Sequence, residues 1–351
     1  MSAAHQGGTA VVRRTVLRPS SYLNIPNEVY GVTAVGASVI RAVPRPDFVE
    51  TPYVAEVTDR ALGYVRAGFP VHFRGPSGVG KTTLALHVAH RLGRPVMLMV
   101  GDDEFGSSDL VGAHAGFRRR RVVDNFIASV RKTEDDVAPR WVDQRLTIAC
   151  REGLTLVYDE FTRSRPEANN ALLSVLEEGV LVLPSRRRAE TDYLRVHPDF
   201  VAIFTSNPVE YAGVHQAQDA LFERFVTIDL DAFDEASESA IVQARSGVSE
   251  ADALSIVRLV RACRVALGGA DRHTVRSAIV IAKVVAQRGA VAAAGDPVFE
   301  RACQDVLSSE AGRRGWNGLS AAQVRAKVLE LVHQQAGGPV KRGRGTRPVR
   351  P

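Results

Sequence analysis

The sequence is short of cysteine, of aromatic residues and of long apolar runs, and each shortage removes a class of protein. Cys150, Cys263 and Cys303 are the only thiols in 351 residues. They lie far apart, without the C-x-x-C or Cys/His spacing of a metal or redox motif, which excludes a disulfide scaffold and fits reduced, buried thiols. The most apolar stretch, Ser277 to Ala294, is broken by Lys283, Gln287 and Arg288, so it cannot form a transmembrane helix. Met1 to Ala10 is polar and lacks the apolar core of a signal peptide. A soluble, cytoplasmic chain with no membrane partner is expected. Aromatics make up 6% of the chain, against 45% hydrophobic and 24% charged residues, a globular balance that excludes a fibre or a wholly disordered protein. The length suits about two domains.

Acidic residues are missing from both ends. Residues 1 to 27 carry Arg13, Arg14 and Arg18, and residues 336 to 351 carry Lys341, Arg342, Arg344, Arg347 and Arg350, with no Asp or Glu in either. Without these tails the overall +6 disappears, leaving 37 basic against 39 acidic residues. The body is not basic, and this argues against nucleic acid as the partner.

Between residues 70 and 230 short β-rich runs (Val71 to Phe73, Val96 to Val100, Leu154 to Tyr158, Val201 to Thr205, Val226 to Leu230) alternate with helix-length segments. That pattern predicts a parallel sheet covered by helices. From Ser249 onward four helical runs, at 250–267, 274–288, 297–308 and 321–335, predict a small helical domain. Ser249 with Asp252, and Ser320 with Gln323, have capping-box spacing. There are no internal repeats. The expected division is a basic, disordered extension at 1–30, an α/β nucleotide-binding core at 31–235, a helical lid at 236–335 and a basic, disordered tail at 336–351.

Gly75-Pro76-Ser77-Gly78-Val79-Gly80-Lys81-Thr82 follows one predicted strand and opens a helix that Gly93 can cap, which is the P-loop pattern in its required context. Glycines let backbone N–H groups turn toward phosphates, Lys81 reaches the β- and γ-phosphates, and Thr82, followed by Thr83, offers a hydroxyl to Mg²⁺. A second buried strand ends in Asp159-Glu160, giving Asp159 as a Mg²⁺ ligand through water and Glu160 as the group that polarises the attacking water. Adjacent carboxylates in these roles imply ATP hydrolysis rather than nucleotide storage. On the reading of a ring ATPase two further residues fit: Asn207, after the strand in Thr-Ser-Asn-Pro, would orient the lytic water, and Arg224 in Glu-Arg-Phe would reach a neighbouring subunit's γ-phosphate.

Taken together, these motifs resemble the AAA+ ATPases of the MoxR branch. The string Asp159 to Leu173 (DEFTRSRPEANNALL), with Ser108 to Gly112, Val122 to Phe126, Arg195 to Pro198 and Glu210 to His215, resembles more narrowly the gas vesicle protein N family, over roughly residues 30 to 310. The resemblance implies an AAA+ core with strand order 5-1-4-3-2, an α-helical lid, and a homo-oligomeric ring, with six subunits expected. It implies a role in forming gas vesicles, with shell or accessory proteins as partners and a location at the vesicle, and it makes Arg276 the lid residue that touches nucleotide. Thr162 precedes Arg163 where MoxR proteins commonly carry Asn, which leaves the role of Arg163 open, an interface contact being one reading; Arg163 and Arg165 are the string's only catalytic candidates beyond the Asp-Glu pair. Within the string, Ser164 and Glu167 have capping-box spacing ahead of an apolar face at Ala168, Ala171, Leu172, Val175 and Leu176.

Two other functions remain open: a MoxR-type chaperone that activates or metallates a partner enzyme, and a minor structural vesicle component that binds nucleotide without useful turnover. Two basic runs, Arg118 to Arg121 and Arg186 to Arg188, are expected to face one acidic protein partner near the ring axis. In related ring ATPases these segments form a helix 2 insertion and a hairpin before the fourth strand.

Overall fold

The computed structural model describes residues 39–127, 130–183, 192–207, 219–267, 273–308 and 319–335, with side chains omitted at 114–140, 192 and 219. The two basic tails and Arg186 to Arg188 lie outside the described residues.

The expected strands all form, within a residue or two at their ends. In chain order the elements of the sheet are β1 (Val39–Ile40), β2 (Val71–Arg74), β3 (Val96–Val100), β6 (Thr155–Asp159), β9 (Val201–Ser206) and β10 (Val226–Asp229). They lie side by side in the order β1-β3-β6-β9-β2-β10. Apart from β1 this is the 5-1-4-3-2 order, and all of its pairings are parallel. β1 is an addition: a two-residue antiparallel strand on the outer edge of β3, too short to show a period in the sequence.

Two apolar layers hold the sheet, and the two-residue alternation of strand side chains sorts residues between them. Leu156, Tyr158, Ala202 and Phe204 pack on one face with α4 (Arg145–Glu152) and α5 (Pro166–Glu177). Val157, Ile203 and Ile228 pack on the other with α1 (Pro52–Arg66) and α2 (Lys81–Leu92). Thr51 caps α1, accepting from the Val54 N–H at 3.3 Å ahead of Pro52 at the first helical position. Gly93 ends α2 in the left-handed region.

Among the described residues the helical region has five helices where the sequence pattern predicts four. α8 (Glu250–Leu267), α9 (Val275–Arg288), α10 (Pro297–Leu307) and α11 (Ala321–Gln335) are joined by α7 (Glu235–Ser246), in what reads as a linker. Its apolar stripe is thin, with Ile241 and Val242 as its only large aliphatics, so it lacks a clear helical period; the Asp234 cap and packing on α8 and α9 complete it. The Ser320–Gln323 capping box forms reciprocally, whereas at Ser249 the hydroxyl accepts from Asp252 N–H at 3.1 Å and the Asp252 carboxylate accepts from the Ser249 hydroxyl and the Ala292 N–H, a side-chain cap without the reciprocal bond.

Two further elements depart from expectation. Ser164 and Glu167 do not form a capping box. Arg165 is the N-cap of α5, and the Ser164 hydroxyl instead accepts from the Tyr158 phenol at 2.6 Å and from Asp102 N–H. A buried tyrosine needs a partner more than a surface helix end needs a cap. The segment after β3 begins with the short α3 (Ser107–Leu110) and becomes a long antiparallel ribbon of β4 (Gly112–Ile127) and β5 (Val130–Asp143). Its register sets Arg120 opposite Asp136 and Arg121 opposite Asp135. The basic run thus carries its own acids across the ladder, which weakens the expectation that it waits for an acidic partner. A second ribbon pairs β7 (Val180–Leu183) with β8 (Asp192–Arg195), the expected hairpin.

His72 is fully buried in β2. Its Nε2 lies 2.8 Å from the Ser206 hydroxyl and its Nδ1 3.1 Å from the Thr227 hydroxyl, among the rings of Phe161, Phe222 and Phe225. Burial, reinforced by the Arg74 charge, lowers its pKa from 6.5 to about 3. The folded chain therefore declines a proton that the unfolded chain accepts between those values. Its contribution to stability is unaffected above pH 6.5 and falls progressively as the pH drops toward 3, by about 2 kcal/mol at pH 5. His72→Phe should accordingly show a Tm drop from pH 7.5 to 5 that is smaller than wild type by a few degrees. Thermal melts at both pH values check this, and equal drops would reject it.

Candidate functional site

All five parallel strands run in the same direction, so their carboxyl ends collect the loops on one edge of the sheet. Along that edge a cleft opens toward the helical region. Ser77, Gly78, Val79, Gly80, Lys81, Thr82 and Thr83 line it from the P-loop and the start of α2, Asp159 and Glu160 from the end of β6, and Arg276 from α9. Gly75 and Pro76 form the base of the loop, where their carbonyls accept from the Lys81 ammonium at 2.8 and 2.7 Å. The first N–H groups of α2 have no carbonyl within their own helix to bond, so the helix end facing the cleft attracts anions.

Asp159 is held from two sides. Thr82 donates its hydroxyl to both carboxylate oxygens, at 2.7 and 2.8 Å, and the Thr205 hydroxyl on β9 donates to the same group. Glu160 then turns away through a left-handed backbone, φ 51 and ψ 40, as the one non-glycine residue with positive φ among the described residues. Such a conformation is costly for a residue with a Cβ and persists only where its surroundings enforce it. Here the Glu160 N–H donates to the Thr205 hydroxyl at 2.9 Å, and Gly101 fits directly beneath the Glu160 carbonyl. The Glu160 side chain receives the Arg163 guanidinium at 2.7 Å.

The helical region reaches the cleft through the start of α9. Thr274 sits so close to Gly78 that a Cβ there would lie 2.6 Å from its side chain, with Gly78 already at φ +85. Behind this contact, the buried carboxylate of Glu238 on α7 receives Arg261 and Arg264, and Arg264 donates to the His273 carbonyl at 2.7 Å. A charge pair inside the helical region thus fixes the turn that presents Thr274 and Arg276.

Asn207 and Arg224 do not line this cleft. Asn207 follows β9 directly and is buried between the strand ends that carry the P-loop and Asp159. Arg224 lies just before β10, at the opposite end of the strands, where its guanidinium pairs with Glu177.

The wall of the cleft away from the P-loop has no signature in the sequence. Phe48 and Tyr53 come from the chain ahead of β2, Phe233 and Ile241 from the chain after β10, and Ile279 from α9. Tyr53 and Phe233 meet edge to face at 5.7 Å. An ion pair between Asp47 and Arg245, at 2.9 Å, joins the first of these segments to α7. Apolar residues far apart in sequence build a surface suited to a flat heterocycle next to the phosphate-binding loop.

A family model described as AAA domain (dynein-related subfamily) matches residues 70–225. The gas vesicle ATPase GvpN of Ancylobacter aquaticus is 51% identical over 297 residues, covering 84% of this chain and 83% of that one. GvpN2 of Halobacterium salinarum is 46% identical, covering 76% of each. The chain belongs to the GvpN gas vesicle ATPase family. A more distant relative is protein NorQ of Paracoccus denitrificans, 28% identical over 78% of this chain and 94% of that one. As a GvpN family member with an AAA domain the protein binds nucleotide and is an ATPase. The GvpN-like string from Asp159 to Leu173 folds as the end of β6, the Glu160 turn and most of α5, so the greater part of it is core and scaffold.

Gly101 supplies a test of the turn. A Cβ at this position would lie 2.0 Å from the Glu160 carbonyl oxygen, a backbone atom that cannot swing aside. Gly101→Ala should lower kcat for ATP hydrolysis roughly tenfold to a hundredfold while leaving ATP affinity near that of wild type, because it displaces Glu160 and not the P-loop. Steady-state phosphate release and equilibrium nucleotide binding measure the two quantities, and an unchanged kcat would show that the turn tolerates displacement.

Proposed function

We propose that the protein hydrolyses ATP in this cleft to drive the remodelling or assembly of gas vesicle proteins, as a ring of identical subunits, six in number, in the cytoplasm at the growing vesicle. The observation that carries the reading is the convergence of the P-loop, Asp159-Glu160 and Arg276 on one cleft between sheet and helices, in a chain half identical to a gas vesicle ATPase.

In this reading the N–H groups of the loop, together with Lys81, bind the phosphates. Lys81 exchanges the Gly75 and Pro76 carbonyls for phosphate oxygens, a stronger charge-assisted interaction. Thr82 and Asp159 supply the hydroxyl and carboxylate oxygens suited to Mg²⁺. When bound, the ion would neutralise phosphate charge. Glu160 activates water, Asn207 orients it, and Arg276 reports nucleotide to the helical region. Arg224, remote from its own cleft, acts on a neighbour's γ-phosphate. A purely structural role that binds nucleotide without turnover would have no use for a carboxylate held in a strained turn beside the P-loop. The chaperone reading rests on the broader MoxR resemblance, where identity falls to 28% with protein NorQ, and is the weaker of the two for that reason.

Lys81→Ala should abolish nucleotide binding, whereas Glu160→Gln should bind ATP normally and turn over at least a hundredfold more slowly. Both should stop vesicle formation when they replace the native allele in a gas vesicle cluster. Phosphate release from Glu160→Gln at the wild-type rate would rule out Glu160 as the base, and normal vesicles with either allele would rule out the assembly role.

The trans assignment has its own test. Specific activity should rise with protein concentration as subunits associate, and mixing Arg224→Ala with Lys81→Ala subunits should restore activity that neither has alone, since an intact P-loop then faces an intact arginine. Arginines acting in this way are worth about 10³ to 10⁵ in rate. No recovery in demonstrated mixed oligomers would count against it.

A further inference from the structure

Within β2 the residues on either side of His72, Val71 and Phe73, are apolar and buried. An imidazole between them has to be hydrogen-bonded or it is a liability, and here both ring nitrogens are engaged. One donates and the other accepts, with the hydroxyls of Ser206 and Thr227 free to rotate into the complementary role. The surrounding rings of Phe161, Phe222 and Phe225 would accept an apolar side chain equally well. Packing alone therefore does not explain a histidine.

Its two partners do. Ser206 is the last residue of β9, directly ahead of Asn207, and its carbonyl accepts from the N–H of Gly75, the first residue of the P-loop, at 3.4 Å. Its side chain is held by His72 and its backbone by the loop. Thr227 lies on β10, the strand that Arg224 precedes, and Phe222 and Phe225 flank Arg224. Phe161, which follows Glu160, packs edge to face on Phe225 at 5.6 Å.

We propose that His72 is a positioning residue for ATP hydrolysis: its two hydrogen bonds tie the strand end that presents Asn207 to the strand that follows Arg224, across the strand that enters the P-loop. The proposal rests on the reading of Asn207 as the residue that orients water. The tie fixes Asn207 relative to the phosphates without touching them, so its loss misplaces the water and spares nucleotide affinity. Held neutral by burial, the imidazole keeps this pattern across the physiological pH range.

A double-mutant cycle tests it on the full-length, assembled protein. His72→Phe keeps an aromatic ring and removes both hydrogen bonds. It should lower kcat roughly tenfold to a hundredfold while leaving ATP affinity, read by displacement of a fluorescent ATP analogue, within about twofold of wild type. Asn207→Ala should cause a comparable loss, and the double variant should be no slower than Asn207→Ala alone. His72→Gln, whose amide can donate and accept, should recover part of the rate. If His72→Phe does not fold, Ser206→Ala enters the same cycle, with the same expected loss of kcat. Wild-type kcat in His72→Phe with an impaired Asn207→Ala overturns the role of His72 and leaves that of Asn207 intact. Wild-type kcat in Asn207→Ala overturns the reading of Asn207 and the proposal with it. Multiplying losses in the double variant would also overturn it, since His72 would then act on the fold at large and not through Asn207.

Discussion

Two consecutive carboxylates at the end of one strand have to reach the same cleft, and the packing around that strand end is arranged to meet the demand. In regular β structure the side chains of Asp159 and Glu160 would point to opposite faces of the sheet. Here the strand ends at Asp159 and the backbone turns left-handed at Glu160. Thr205 serves both residues: its hydroxyl donates to the Asp159 carboxylate and accepts from the Glu160 N–H. Gly101 leaves room for the displaced carbonyl and donates its N–H to the Asp159 carbonyl at 2.7 Å. Phe161, next in the chain, then enters the aromatic cluster of the core and anchors the far side of the turn. Strain at Glu160 is thus offset by hydrogen bonds and burial on both sides of it, which is the circumstance in which a strained backbone persists.

The second constraint is the close packing of the helical region on the P-loop. Gly78 against Thr274 makes the contact intolerant of any side chain, and the Glu238, Arg261 and Arg264 cluster stiffens the turn behind it. Glu238 is almost wholly buried, where an unpaired carboxylate would be costly; two arginines and the carbonyls they hold satisfy the site. At the other end of the cleft Asp47 and Arg245 join the same two parts of the chain. The helical region therefore meets the cleft at both ends, and α7 carries both Glu238 and Arg245.

What could be read from the sequence follows the range of the interactions involved. The P-loop spans eight residues between a strand and a helix, and Asp159-Glu160 closes an apolar run; both signals are local. The strand order came from resemblance, because hydrophobic alternation sorts residues to faces but says nothing of which strands are neighbours. Phe48, Tyr53 and Phe233 carried no signal, since they become one wall only when segments nearly 200 residues apart are brought together by β2 and β10. The β4–β5 ribbon was hidden by its charge: Arg118 to Arg121 carried the expectation of an acidic partner, and only the register sets Arg120 and Arg121 opposite Asp136 and Asp135. α7 was missed for want of an apolar stripe. Ser164 shows the opposite error, a capping-box spacing that was real in sequence and overridden by the need of the buried Tyr158 hydroxyl.

The proposed trans role of Arg224 raises a question of cost, because in the single chain its guanidinium is already paired. Glu177, its partner, sits at the end of α5 with more than half of its side chain exposed, and Arg224 itself is partly open to solvent. Exposed pairs of this kind contribute only about 0 to 1 kcal/mol, so exchanging Glu177 for a phosphate held in a neighbour's cleft is not opposed by the pair it leaves. The aromatic neighbours behave differently. Phe222 and Phe225 are packed with Phe161, Phe204 and His72, and moving them would disturb the Glu160 turn and the end of β9 together. The guanidinium is held by Glu177 and the Ala220 carbonyl while its root is fixed to the core, so the proposed finger would give up two surface partners and keep a base packed with the end of its own β9.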